Sequence, residues 1–308
     1  MSQDIFSAAY RRMTSEVLSH RIASLREMMR SCRLCPRNCG VDRLAGETGV
    51  CGVAAEPIVS SHGPHFGEEA PLVGRHGSGT VFLTHCNLKC IFCQNYDTSH
   101  LGDGTAVSTE ALGDIMLDLQ RRGCHNINWV TPTHQAPMLV EATQIARERG
   151  LTLPIVYNCG GYESLDALRL LEGIVDIYMP DAKYGDEEAG QRLSGVPDYW
   201  SRNQEALSEM HRQVGDLALD ENGIATRGLL VRHLVLPEGL AGTETVMQFL
   251  ASLSRNTYVN VMDQYRPAYR AGEVPAIARP LTSDEFREAL EAARKAGITR
   301  LDERSAAW

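Results

Sequence analysis

The chain has 308 residues, with 39 acidic against 30 basic side chains, a formal charge of −9, and 43% hydrophobic residues. That length holds one large domain of barrel size or two ordinary ones. The acidic balance argues against a nucleic-acid partner, which normally shows as a basic stripe. No run of about 18 apolar residues is present, so no membrane partner is expected.

The opening residues, 1 to about 31, lack an apolar h-region and a small-residue cleavage site, so they do not read as a secretory signal. Their apolar residues recur at helical spacing between charges, which predicts an amphipathic helix packed on the domain. A chain of this kind is expected in the cytoplasm, where its nine cysteines would serve as metal ligands or do chemistry and would not form disulfides. Cys32, Cys35, Cys39 and Cys51 form C-x2-C-x3-C-x11-C, a four-thiolate set that matches a closed metal site. Structural zinc and an auxiliary [4Fe-4S] cluster both fit that count, and the knuckle-like turn "CPRNCG" leans toward zinc. The next stretch, "SSHGPHFGEEAPLVGRHGSG", reads as too irregular for a long helix or strand. Its His62, His65 and His76 are not spaced as ligands and read as solvated loop residues. Residues 1–79 are therefore expected to form a helix, a four-cysteine module and an irregular linker, and residues 80–308 a second unit.

From Thr80 onward, apolar runs alternate with helical patterns. Strands are predicted at 80–86, 126–131, 154–159, 175–182, 229–237 and 258–265, with a further short one in "ITRLDE". Helical stretches such as "STEALGDIMLDLQRRG" and "APMLVEATQIARERG" lie between them and end in glycine. Strands alternating with helices imply parallel pairing through right-handed crossovers. No G-x-G-x-x-G follows the first strand, which disfavours a doubly wound nucleotide fold. Later strands end in polar groups ("TPTHQ", "NCGG", "PDAK", "QYR"), as barrel strands do at their chemical rim. Six units are too few for an eight-fold barrel, so the expected class is α/β, a partial (β/α)6 TIM-like barrel with an N-terminal helix and a cysteine-rich extension.

The first barrel strand runs into "CNLKCIFCQNYDTSH", where Cys86, Cys90 and Cys93 stand at C-x3-C-x2-C. Buried cysteines or part of a zinc site are the plain alternatives. The functional reading is a [4Fe-4S] cluster whose fourth iron has no protein ligand, an open position for chemistry. Cys124 follows a helix-ending glycine and reads as a packed small residue, and Cys159 as structural or polar lining.

This loop resembles that of radical S-adenosylmethionine (SAM) enzymes, most closely the pyruvate formate-lyase activating enzymes and their uncharacterised relatives with an N-terminal four-cysteine module. The likeness extends through "QNYDTS", "YNCGGYE", "PDAKYGD", "VRHLVLP" and "MDQYRPAY". It implies that the open iron takes the amino and carboxylate groups of SAM. An electron entering the sulfonium splits the S–C5′ bond, and the 5′-deoxyadenosyl radical removes a hydrogen atom from a substrate. That substrate is a backbone glycine of a partner in the activating enzymes, or another protein, an RNA or a small molecule. A non-catalytic iron–sulfur sensor is the reading from a different class. The resemblance also implies a flavodoxin or ferredoxin as electron donor.

Residues for SAM are carried over position by position. Phe92 and Tyr96 flank the last cysteine and either pack on adenine or join the core. Thr133 and His134 stand where the family has a Gly-Gly-Glu stretch that meets the cofactor's ammonium. Asn158 with Gly160 and Gly161 resembles the family's Asn/Asp-x-Asn-Gly turn. Asp181 and Lys183 in "PDAK" resemble Asp-Leu-Lys, set to meet ribose or the methionine zwitterion, or else to pair with each other. Arg232 and His233 must point to opposite faces of their strand, and Arg232 is favoured for the interior. Gln264, with Tyr265 and Arg266, ends the sixth strand.

Overall fold

Six parallel strands form the centre of the sheet, in the order in which they occur along the chain. The computed structural model describes residues 7–306. The strands are β1 (Ile58–His65), β2 (Ser78–Leu83), β3 (Thr105–Ala106), β4 (Ile127–Val130), β5 (Ile155–Cys159), β6 (Ile177–Pro180), β7 (Ala218–Leu219), β8 (Ala225–Leu234), β9 (Tyr258–Met262) and β10 (Arg300–Leu301). The helices used below are α1 (Ser15–Glu27), α2 (Ala70–Val73), α3 (Tyr96–Ser99), α4 (Thr109–Arg121), α5 (Ala136–Glu148), α6 (Leu165–Leu171), α7 (Glu187–Ser194), α8 (Tyr199–Val214), α9 (Thr243–Leu253) and α10 (Ser283–Ala296). The sheet order is β10-β9-β8-β6-β5-β4-β2-β1-β3, with β7 paired to β8. The expected partial barrel is thus present, its six units carried by β2, β4, β5, β6, β8 and β9, with β10 extending one edge in parallel.

The other edge corrects the sequence reading. The stretch judged too irregular contains an eight-residue strand, β1, antiparallel to β2 from Val59↔Leu83 to His65↔Ser78, with a register shift between Val59 and Ser61. Pro64 is tolerated there because β3 covers only Ile58 and Val59, leaving the rest of β1 as an edge that needs no further donor. Strand β8 also starts earlier than expected, at Ala225, and ends at Leu234.

The parallel strands are covered on their outer faces by helices, so their outward residues are apolar. Trp129, Tyr157, Tyr178, Leu229 and Val231 lie in the main core with Met116, Leu139 and Leu168 of the helices. Alternation sends the other set inward. Val156, Ile177, Met179, Leu230 and Tyr258 close the floor of the barrel around Leu72 of α2. Above that floor the interior turns polar.

The N-terminal helix is shorter than expected. Thr14 caps α1 by accepting from Val17 N, and one 3-10 turn, Ala9–Arg12, precedes it. Residues 1–6 lie outside the described residues. Leu18, Ile22 and Leu25 are buried on the barrel's own core, each worth about 1.5–3 kcal/mol as an upper bound. Ala9 N donates to Asp176 Oδ1 (2.7 Å), which fixes this segment beneath β6. No helix among the described residues is long and apolar enough to cross a membrane.

Candidate active site

The loop after β2 is shaped by backbone bonds to distant elements. His85 N donates to Thr98 O, Ile91 N to Leu193 O, and Arg270 N to Ile91 O. Each of the three sulfurs meets a donor. Leu88 N points at Cys86 Sγ (3.4 Å), the Ser194 hydroxyl lies 3.0 Å from Cys90 Sγ, and the Ser99 hydroxyl 3.1 Å from Cys93 Sγ. Hydrogen bonds of this kind to cluster thiolates set reduction potential. Burial pushes the Cys86 thiol up to about 12. Burial also raises Cys90, with the Lys183 ammonium pulling it back down. Among the described residues no three His, Cys, Asp or Glu side chains gather to hold one metal ion. A four-iron group, being larger, sets its thiolates further apart than one ion does.

Beside this loop, four of the expected residues come together. Lys183 Nζ bonds Asp181 Oδ2 (2.6 Å), Arg232 Nε bonds Asp181 Oδ1 (2.9 Å), and Arg232 reaches Asn158 Oδ1 (2.7 Å). Arg232 also faces Glu68 Oε2 at 3.8 Å. The Asp181–Lys183 pair weighed from sequence is therefore real, and Arg232 extends it. Burial would raise the Asp181 carboxyl, but Arg232 and Lys183 outweigh it and hold it below its usual range. The heads of Lys183, Asp181 and Arg232 keep 14–19% exposure, so they meet the open rim. Gly160 brings this group against the cysteines. A Cβ there would lie 2.8 Å from Leu88 Cδ1 of the loop and 3.8 Å from Lys183 Cε. Gly161 has φ +73, and a Cβ would collide with Asn203 and the Asp181 carbonyl.

The other expected residues go elsewhere. Phe92 is buried edge-on to Tyr184 and Tyr265, beneath the loop. Tyr96 opens α3 and stacks on Tyr269 at 5.3 Å. Gln264 is exposed, and its carbonyl accepts from Gln94 Nε2. His233 points outward between Ala182 O and Thr243, opposite to Arg232. Thr133 and His134 do not join the charged rim. Thr131 adopts φ +61 after β4, and the following turn lies on the outer side. There Thr133 donates to Glu163 Oε1 (2.7 Å), and His134 Nε2 sits 2.9 Å from Thr84 O. His134 lines a cavity with Cys32, Cys35, Cys39 and Cys51. Cys159 is on this outer set too, and Cys124 is buried in the core. His62 and His76 are exposed, while His65 is half-buried against Phe82.

Sequence reasoning missed four contributors. Ser194 and Ser99 are ordinary serines until the fold brings them to sulfur. Arg37, inside "CPRNC", donates to Asn87 O (2.8 Å), Gly195 O (3.0 Å) and Ser194 O (3.2 Å). It thereby caps the orphan carbonyls at the end of α7 and holds the cysteine loop. Glu163 is fully buried, bonded by Thr133 and Tyr157, and burial pushes its carboxyl up to about 7. An acid raised on folding favours the folded state below its unfolded value of 4.5, and that advantage is lost as pH rises toward 7. Glu163→Gln is therefore expected to remove up to about 3 kcal/mol of pH-dependent loss between these values. Urea melts at pH 4.5 and 7.5 check it, and parallel slopes for both proteins would contradict it.

Comparison with known proteins identifies the family. Residues 80–219 match the radical SAM superfamily model. The chain belongs to that superfamily and is an enzyme, built to cleave SAM by radical chemistry at a [4Fe-4S] cluster fed by an electron donor. It is similar to "Uncharacterized protein MJ0674" of Methanocaldococcus jannaschii, 32% identical over 288 residues, covering 91% of this chain and 79% of that one. Among solved structures it resembles HydG, a maturase of the [FeFe]-hydrogenase, with 9% identity and a TM-score of 0.50. The match covers 95% of this chain and 64% of HydG, so the chain spans less than two thirds of that protein. A radical SAM methyltransferase from Sphaerobacter thermophilus gives 12% identity, coverage of 97% and 96%, and a TM-score of 0.46. The three cysteines, their hydroxyl and amide donors, and the glycine cradle beside Lys183 fit a cluster carrying SAM.

Proposed function

We propose that the chain is an activating-type radical SAM enzyme that takes a hydrogen atom from a backbone glycine of a protein partner, leaving a glycyl radical there. Cys86, Cys90 and Cys93 hold the cluster, and Asn158, Asp181, Lys183 and Arg232 receive the SAM zwitterion or ribose. When bound, the cluster and SAM supply the electron and the 5′-deoxyadenosyl radical. The chain orients SAM with the charged rim, tunes the sulfurs through Ser194, Ser99 and Leu88, and excludes water with Phe92, Tyr184 and Tyr265. The observation that carries the SAM-cleaving part of this reading is the contact of the Asp181–Lys183–Arg232 group with the cysteine loop across Gly160, and the glycine substrate rests on the resemblance to activating enzymes. In this view residues 80–308 carry the catalytic cysteines and the charged rim, while 1–79 add α1 and the four-cysteine module outside and β1, Glu68 and Leu72 to the barrel itself. A flavodoxin or ferredoxin supplies the electron, and a cytoplasmic setting suits nine unpaired cysteines.

The anaerobically reduced, cluster-loaded protein is expected to convert SAM into 5′-deoxyadenosine. With a partner carrying deuterated glycine, deuterium should appear in that product and a glycyl signal in the EPR spectrum. No 5′-deoxyadenosine would sink the whole reading. Product that never carries the partner's deuterium would sink the activator reading alone.

A further inference from the structure

The second cysteine set and His134 form one site that the radical chemistry leaves unexplained. Cys32, Cys35 and Cys51 are buried, Cys39 is half-buried, and all four line one cavity with Arg43, Asn87 and His134. His134 is 1% exposed. A carbonyl can only accept, so the 2.9 Å contact to Thr84 O places the ring proton on Nε2. Nδ1 is left with a bare lone pair, and it finds no hydrogen-bond partner. Burial holds this imidazole neutral, with its pKa down to about 3. A buried imidazole that lines a thiol-lined cavity, with one nitrogen bonded to a backbone carbonyl and the other unpartnered, has the arrangement of a metal-binding histidine.

The spacing of the donors selects among metals. A single zinc needs its ligand atoms about 2.0–2.3 Å from one centre, whereas no three such groups among the described residues gather around one point. Donors spread around a cavity wall suit a polynuclear group, and imidazole replaces thiolate on iron in some clusters. We propose that the cavity holds an iron–sulfur cluster whose ligands include His134 Nδ1 together with cysteines of the N-terminal module. The cluster would lie against Asn87, the neighbour of Cys86, and would tie residues 32–51 to the turn after β4. This does not depend on the activator reading, because it concerns a site separate from Cys86, Cys90 and Cys93.

The test uses the full chain grown with ¹⁵N-histidine, loaded anaerobically with iron and sulfide, and studied by pulsed EPR in whichever redox state is paramagnetic. A cluster with a directly bound, ¹⁵N-coupled nitrogen is expected. The same coupling should persist in a chain with Cys86, Cys90 and Cys93 all changed to alanine, which should keep about four irons. It should vanish in His134→Ala. Zinc in place of iron at the second site, or a cluster signal with no histidine nitrogen coupling in the labelled wild-type chain, would overturn the proposal.

Discussion

Cys90→Ala is expected to abolish 5′-deoxyadenosine formation together with the absorbance and EPR signal of the catalytic cluster. Cys90 is buried at 8% exposure, its sulfur rests 3.0 Å from the Ser194 hydroxyl, and Lys183 is the cation that favours its thiolate. Without it two thiolates remain for a group that needs three. Unfolding would not explain the loss, since truncating one sulfur in a packed site costs only about 1–2 kcal/mol. Cys124→Ala is the control. That thiol is buried too, at 3% exposure, but lies in the main core away from the cysteine loop, so iron content and turnover should stay at wild-type levels. Turnover by the Cys90 variant with its cluster spectrum intact would refute its place as a ligand.

Asp181→Ala carries the second largest expected effect. Its carboxylate bonds Lys183 at 2.6 Å and Arg232 at 2.9 Å, so removal leaves two cations facing each other without the anion between them. Breaking a buried ion pair in this way costs about 3–5 kcal/mol. Because folding lowers this carboxyl, its contribution is present above the ordinary value of 3.8 and lost as pH falls. The destabilisation should therefore be full at neutral pH and shrink in acid. Freed of its counter-charge, Lys183 stands closer in effect to Cys90, so the cluster's reduction potential should move positive. Urea melts against pH and potentiometric EPR read the two effects. A variant as stable as wild type at pH 7, with an unchanged potential, would mean that Asp181 does not hold this group together.

Much of this was legible beforehand, for identifiable reasons. Parallel strands buried on both faces leave near-continuous apolar runs, so all six central strands could be read; alternation put Arg232 and His233 on opposite faces, and the resemblance to activating enzymes favoured Arg232 for the interior. β1 escaped because an antiparallel edge strand can carry Gly63, Pro64 and the exposed Ser61 and His62, which look like a loop. The cysteines and "PDAK" were visible because thiols and charges are costly to bury without purpose. Thr133 and His134 turn away from the charged rim after Thr131, whose positive φ is a backbone event with no residue signature. Glu68 reaches Arg232 from a segment that had no predicted structure at all.

Arg37 has a consequence for how this chain can change over generations. Each of its three acceptors is a backbone carbonyl, which every residue type supplies. Positions 87, 194 and 195 are therefore free to drift, as far as this clamp is concerned, and no compensating exchange elsewhere can rescue a loss at 37. Lysine is a poor substitute, because a point charge cannot span three separated oxygens as a planar fork does. The burden of keeping the catalytic loop in register falls on one side chain of a different module, and it is a burden without a co-varying partner.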